Sequence, residues 1–209
     1  MNSCGPKPAG PSSLSTERDP GVRYVSRGGA KLRGALDVLP VAVQDRVALD
    51  IGSSTGGFTD CLLKAGAKSV WCVDVGYGLL DYTLRKDPRV HVLERTNVRY
   101  LAPSLLTEKP DLVTVDVSFI ALEKVLPKIA EVLAPEGDVL AMVKPQFEGS
   151  PKEAPGGVVR DEAVRERVVE DVCGLARSLG FTEIDVIPSP LLGPAGNREF
   201  LAYMRRLER

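Results

Sequence analysis

The chain is predicted to fold as an α/β protein, a mostly parallel β-sheet with helices on both faces. Three observations predict this. Apolar, β-branched runs alternate with helix-like segments along the 209 residues, as strands joined by crossover helices do. One such run, RVALD (46–50), passes directly into a turn carrying Gly52, Gly56 and Gly57 and then into a helix-like stretch. Acidic residues, Asp50 and Asp74, close two successive apolar runs. In an open α/β sheet, ligands bind outside the carboxyl ends of the strands.

Strands are expected near 46–51, 69–75, 89–94, 111–117, 137–144, 182–188 and 199–205, where apolar runs of strand length are bounded by turn residues. Helices are expected at 28–38, 57–66, 79–86, 119–134 and 160–179. The last carries Val164, Val168, Val169, Val172, Leu175 and Ala176 at helical spacing and stops at Gly180. Pro135-Glu136-Gly137 reads as a turn, and the Pro/Gly-rich stretch 148–158 as a loop. Residues 1–21 have the composition of a disordered tail. No repeat or linker divides 22–209, so a single domain is expected there.

Composition removes several classes. The apolar fraction of 44% suits a globular chain, and no run approaches the length of a membrane span. The amino-terminal segment has no hydrophobic stretch that could serve as a secretory signal. Four scattered cysteines, without a Cys-x-x-Cys pair, read as reduced thiols of a cytoplasmic protein. A single histidine, His91 in RVHVLE, leaves no His/Cys cluster for a metal. Chemistry here is therefore expected to run on lysine and carboxylates. The net charge of −1 is not that of a strongly nucleic-acid-binding protein. Residues 21–36 nonetheless hold Arg23, Arg27, Lys31 and Arg33 with no acid. Such a patch is either a phosphate contact or a solvated basic face.

The glycine turn can be narrowed by spacing. A triphosphate loop needs Lys-Ser/Thr after its last glycine, but Gly57 is followed by Phe58-Thr59. A dinucleotide fingerprint wants Gly-x-Gly-x-x-Gly, which Gly-x-x-x-Gly-Gly does not match. An acid at the strand tip suits a ligand with a cationic amino-acid end, such as S-adenosylmethionine, and Asp74 is placed to accept from ribose hydroxyls. An ordinary α/β turn is the plain alternative.

Asp50, Asp74, Asn97, Asp116 and Lys144 all fall at or just after expected strand ends. A buried strand ending in lysine is uncommon, because lysine resists burial without a partner. If the strands of Asp116 and Lys144 are neighbours the two can meet, as a structural ion pair or as catalytic machinery.

The segments SRGGAKL (26–32), DIGSSTGGFTDCLL (50–63), VDVGYG (73–78), DPRVHVLERTNVR (87–99), DVSFIAL (116–122), VKPQFE (143–148), GGVVRD (156–161) and GPAGNREF (193–200) resemble the TlyA-like ribosomal RNA methyltransferases of the FtsJ-like class. Members of that group often carry the name haemolysin. The resemblance spans roughly residues 22–207. It implies a Rossmann-like methyltransferase fold, with a seven-stranded sheet whose last strand is antiparallel. S-adenosylmethionine is the implied methyl donor, a ribose 2′-hydroxyl of ribosomal RNA the acceptor, and ribosomal RNA or a ribosomal subunit the partner. It places a Lys-Asp-Lys-Glu tetrad on Lys31, Asp116, Lys144 and Glu199. Lys144 is then the candidate base or hydroxyl-orienting group, with Asp116 positioning it and Glu199 orienting Lys31 or the hydroxyl. Cofactor contacts would fall on Asp50, Gly52, Ser53, Gly57, Asp74 and Asp116, and on Asn97 at the adenine amine unless Asn97 only forms a turn. Phe58 and Tyr77 either stack or pack.

Full-length members carry a small RNA-binding module before SRGGxKL, and here a Pro/Ser-rich stretch stands in that place. Either the chain is a truncated one, or RNA contact is expected from the 21–36 patch with Arg23, Arg27 and Arg33 and from Arg198, Arg205 and Arg206, or from a partner protein. No DNA contact and no membrane insertion are expected. A methyltransferase with another acceptor or weak activity is the alternative. A membrane-lytic protein would need an amphipathic or barrel-forming segment, and the sequence offers none.

Overall fold

The computed structural model describes residues 23–207; the expected tail at 1–21 lies outside them. Seven strands form one sheet: β1 (Val47–Ile51), β2 (Ser69–Val73), β3 (Val90–Leu93), β4 (Leu112–Val115), β5 (Asp138–Val143), β6 (Glu183–Pro188) and β7 (Phe200–Arg205). Their order is β3-β2-β1-β4-β5-β7-β6. Neighbours run parallel except at β7, which is antiparallel to both β5 and β6. Every strand falls inside its expected range, and the last is the antiparallel one.

The helices are α1 (Arg27–Leu36), α2 (Gly57–Lys64), α3 (Tyr82–Arg85), α4 (Leu126–Val132), α5 (Pro145–Glu148) and α6 (Glu162–Ser178). Three differ from the sequence expectation. The long helix expected over 119–134 is broken into a loop, a 3₁₀ turn at Leu122–Lys124 and the shorter α4. Pro127 sits in the first turn of α4, the one helical place where its missing N–H costs nothing. The helix expected at 79–86 begins only after Asp81, whose carboxylate accepts from Thr83 N and caps it. Helix α5, which starts at Pro145, was not expected.

Strand alternation sorts the core into two layers. Val47, Leu49, Ile51, Val113, Val139 and Ala141 face α4 and α6. Ala48, Val70, Leu112, Leu140, Met142, Leu201 and Tyr203 face α1 and α2, meeting Leu32, Ala35, Phe58 and Leu62. Each large side chain removed from water in these layers contributes roughly 1.5–3 kcal/mol. His91 lies in β3 as expected and stacks on Trp71 with ring centroids 4.4 Å apart, a packing role. Among the described residues no helix is long and apolar enough to cross a membrane, and no group of three or more His, Cys, Asp or Glu could hold a metal ion. Cys61 and Cys72 are free and buried.

Candidate active site

The residues facing α1 and α2 continue beyond the strand ends at the same period. On β4, Leu112 and Thr114 lead to Asp116; on β5, Leu140 and Met142 lead to Lys144; on β7, Tyr203 and Leu201 lead back to Glu199. Because β4, β5 and β7 are adjacent, three polar side chains arrive at one rim on one face. The antiparallel register pairs Val143 with Phe200, so Lys144 and Glu199 stand one step past that pair. Lys31 reaches the same place from α1.

Two ion pairs result. Lys144 Nζ lies 2.6 Å from Asp116 Oδ1, and it donates to Val117 O at 2.8 Å and Ser118 Oγ at 3.2 Å. Lys31 Nζ donates to Glu199 Oε2 at 2.7 Å. Lys31, Lys144 and Glu199 are all buried. Gln146, in the first turn after Lys144, donates from Nε2 to Glu199 Oε1 at 2.9 Å. The four tetrad positions are thus brought together in two pairs. Nothing in the sequence pattern marks Gln146 beyond its place in VKPQFE.

The glycine turn lies at the tips of β1 and β2. Gly52 has φ +78, and a Cβ there would stand 2.6 Å from the backbone oxygen of Asp116, so only glycine lets β1 pass this close to β4. Gly56, at φ 99, precedes α2, whose amino terminus has no side-chain cap. Asp74 accepts from Ser54 N at 2.8 Å and Gly76 N at 2.7 Å, one bond on each oxygen. That knits the two loops together and leaves lone pairs for a ligand hydroxyl. Ser53 and Gly57 are buried within the turn.

Asp50 is wholly buried below this turn, with its carboxylate accepting from Thr59 Oγ1 at 2.6 Å and Thr114 Oγ1 at 2.9 Å. Burial, opposed by the two threonine bonds and aided by the nearby Asp116 charge, pushes its carboxyl up from 3.8 to about 6. A raised folded-state value means the group's contribution is fully present below pH 3.8 and is lost as pH rises through about 6. At roughly 1.4 kcal/mol per unit this amounts to about 3 kcal/mol. Thermal unfolding from about pH 4 to about pH 7 should therefore show wild type losing stability relative to Asp50→Asn. Parallel curves for the two proteins would refute the buried-acid account.

The remaining expected contacts are placed less uniformly. Phe58 is buried in the core against α1, so it packs rather than stacks. Asn97 Oδ1 accepts from Arg99 N and caps a 3₁₀ turn at Val98–Tyr100. Arg23, Arg27 and Arg198 are exposed, Arg198 lying 3.6 Å from Glu162. Arg33 pairs with Asp37 one helical turn on, so it is already engaged. Arg205 and Arg206 are a correction. Arg205 pairs in register with Asp138, at the opposite end of the sheet from Lys144. Arg206 donates to the carbonyls of Ala130, Leu133, Ala134 and Pro135 at the end of α4. An antiparallel last strand necessarily carries its carboxyl end away from the rim.

Exposed aromatic side chains instead gather on the rim loops. Phe119 is 90% exposed at φ 63 and leans on Phe147 at 4.9 Å. Arg95 lies over Tyr77 at 4.3 Å, and Arg99 over Tyr100 at 5.3 Å. Only part of this was available in the sequence: Arg99 and Tyr100 are adjacent in RTNVRY (95–100), whereas Tyr77 in GYG (76–78) meets Arg95 only in the fold.

A mixed seven-stranded sheet with a glycine turn and strand-tip acids defines a Rossmann-like α/β fold of the methyltransferase type. The profile of the FtsJ-like methyltransferases matches residues 24–206, and the chain belongs to that family. It is 47% identical over 195 residues to the Mycobacterium tuberculosis protein named 16S/23S rRNA (cytidine-2′-O)-methyltransferase TlyA, covering 93% of this chain and 73% of the relative. It is 39% identical to Hemolysin A of Brachyspira hyodysenteriae, covering 87% and 77%. The solved structure of a hemolysin-named protein from Streptococcus thermophilus superposes with a TM-score of 0.87 at 44% identity, covering 91% of this chain and 70% of that one.

Proposed function

We propose that this chain transfers a methyl group from S-adenosylmethionine to a ribose 2′-hydroxyl of ribosomal RNA. As a member of its family it is an S-adenosylmethionine-dependent methyltransferase. The observation that supports the acceptor best is the rim itself: two buried lysines, each held by an acid, at the tips of adjacent strands. The name of the M. tuberculosis relative, which specifies a cytidine 2′-oxygen, agrees with it.

The residues present fit the cofactor. Gly52 keeps the turn free of side chain where β1 crosses Asp116, and Asp74 retains acceptor capacity for ribose hydroxyls. Ser53, Gly57 and Asn97 would complete its site, with Asp50 beneath it. When bound, S-adenosylmethionine supplies an already electrophilic methyl group, so the protein's work is alignment and help for the departing proton. Lys144 is the group that takes or directs that proton. Asp116, Val117 O and Ser118 Oγ fix its position, and Glu199 fixes Lys31. Arg23, Arg27 and Arg198, which are exposed, would meet phosphates, and the exposed Tyr77, Tyr100 and Phe119 would stack on unpaired bases. Ribosomal RNA as partner puts the protein in the cytoplasm.

The test is transfer of labelled methyl to small subunits, large subunits and stripped rRNA. Incorporation that digests to a 2′-O-methyl nucleoside is the expected result. No incorporation into any of the three, with cofactor binding intact, would overturn the acceptor.

A further inference from the structure

We propose that Gln146 is a positioning residue of the catalytic cluster, locking Glu199 and, through it, Lys31 in the geometry that the acceptor hydroxyl meets. The inference rests on the function proposed above. Three features carry it. Glu199 is a buried carboxylate whose two oxygens are divided, Oε2 to Lys31 at 2.7 Å and Oε1 to Gln146 at 2.9 Å. Fixing one oxygen stops the carboxylate rotating and so fixes where Lys31 points. The second feature is the amide's orientation. The atom facing a carboxylate oxygen must be the N–H₂ group, so the assignment of nitrogen and oxygen is settled by the partner.

The third is what that orientation leaves behind. Gln146 Oε1 is buried without a hydrogen-bond partner, an arrangement that folding alone disfavours. A methionine of similar shape would fill the space without it. The amide's other end is therefore retained for what its nitrogen does. Gln146 also connects the two ion pairs, since it follows Lys144 by two residues and holds the partner of Lys31.

Two variants test this, read by kcat, KM for RNA, cofactor Kd and melting temperature. Gln146→Met removes the bond and is expected to lower kcat on the order of 10²-fold, with KM and Kd near wild type and a melting temperature lowered only modestly by the bond that the buried Glu199 loses. Gln146→Glu puts a second acid against Glu199, with Lys31 from α1 and the Lys144–Asp116 pair of β5 and β4 as the neighbouring charges. Two adjacent carboxyls favour protonation of one, and the introduced carboxyl, once protonated, donates to Glu199 as the amide did. The kcat of Gln146→Glu relative to wild type should thus rise as pH falls from about 8.5 to about 6. A Gln146→Met enzyme with kcat within about twofold of wild type would overturn the proposal. So would a Gln146→Glu enzyme with the wild-type pH profile, or losses in either variant confined to cofactor binding and melting temperature. Wild type that transfers no methyl would instead overturn the function on which the proposal rests.

Discussion

Lys144→Ala is expected to lower methyl transfer by about 10²–10⁴-fold, the range for removing a group that handles a proton in the transition state. The residue sits at the one point where β4, β5 and β7 bring polar side chains together, and its amine is held from three sides by Asp116, Val117 O and Ser118 Oγ. None of those contacts involves the glycine turn, so cofactor binding measured by calorimetry should change little. Lys144→Arg then separates the two roles open to the amine. Arginine keeps a positive charge but never gives up its proton. If Lys144 accepts the proton, the arginine enzyme is as inactive as the alanine one. Near-normal turnover in Lys144→Arg would make proton acceptance untenable and leave an orienting role.

Gly52→Val should give the second large effect, on cofactor binding and stability together. The φ of +78 is the left-handed region, which costs a residue with a Cβ roughly 1–2 kcal/mol. The added Cβ would stand 2.6 Å from Asp116 O and 3.0 Å from its carbonyl carbon. Backbone cannot rotate away as a side chain would, so the tips of β1 and β4 must separate. A further penalty of about 1–3 kcal/mol is reasonable for such overpacking. The sum lowers the melting temperature by about 5–15 °C in a domain of this size. Separation of the same two tips spreads the floor on which the methionine end would lie, so cofactor affinity should fall at least about tenfold, or roughly 1.4 kcal/mol. A variant that melts within about 2 °C of wild type and binds normally would show that the turn relaxes at little cost.

The pattern along the chain was enough to locate all seven strands, because each is a largely apolar run of strand length bounded by turn residues. It also put Asp116 and Lys144 at strand ends; that they share the face of Thr114 and Met142 follows from alternation along the observed strands. Where the sequence misled, a local rule was overruled by a local chemical detail. Pro127 restarted a helix expected to be continuous, and Asp81 capped one expected to begin earlier.

What the sequence could not settle is which partner each polar side chain takes. Arg33 and Arg206 look alike as exposed-type cations in the sequence. One ends on Asp37 and the other caps α4 with four carbonyl contacts. Asp50 and Asp74 both close apolar runs, yet Asp50 turns into the core toward Thr59 and Thr114 while Asp74 binds the loop amides. The pairing of Lys31 with Glu199, and the bond from Gln146 that steadies it, spans 168 and 53 residues of chain. The sequence by itself determined the α/β class, the strands and the residues that arrive at the rim, because those follow from periodicity and motif. Only the tertiary structure decided the pairs: Lys144 meets Asp116 because β5 lies beside β4, and Glu199 meets Gln146 and Lys31 because β7 inserts between β5 and β6, a strand order that no period-two pattern encodes.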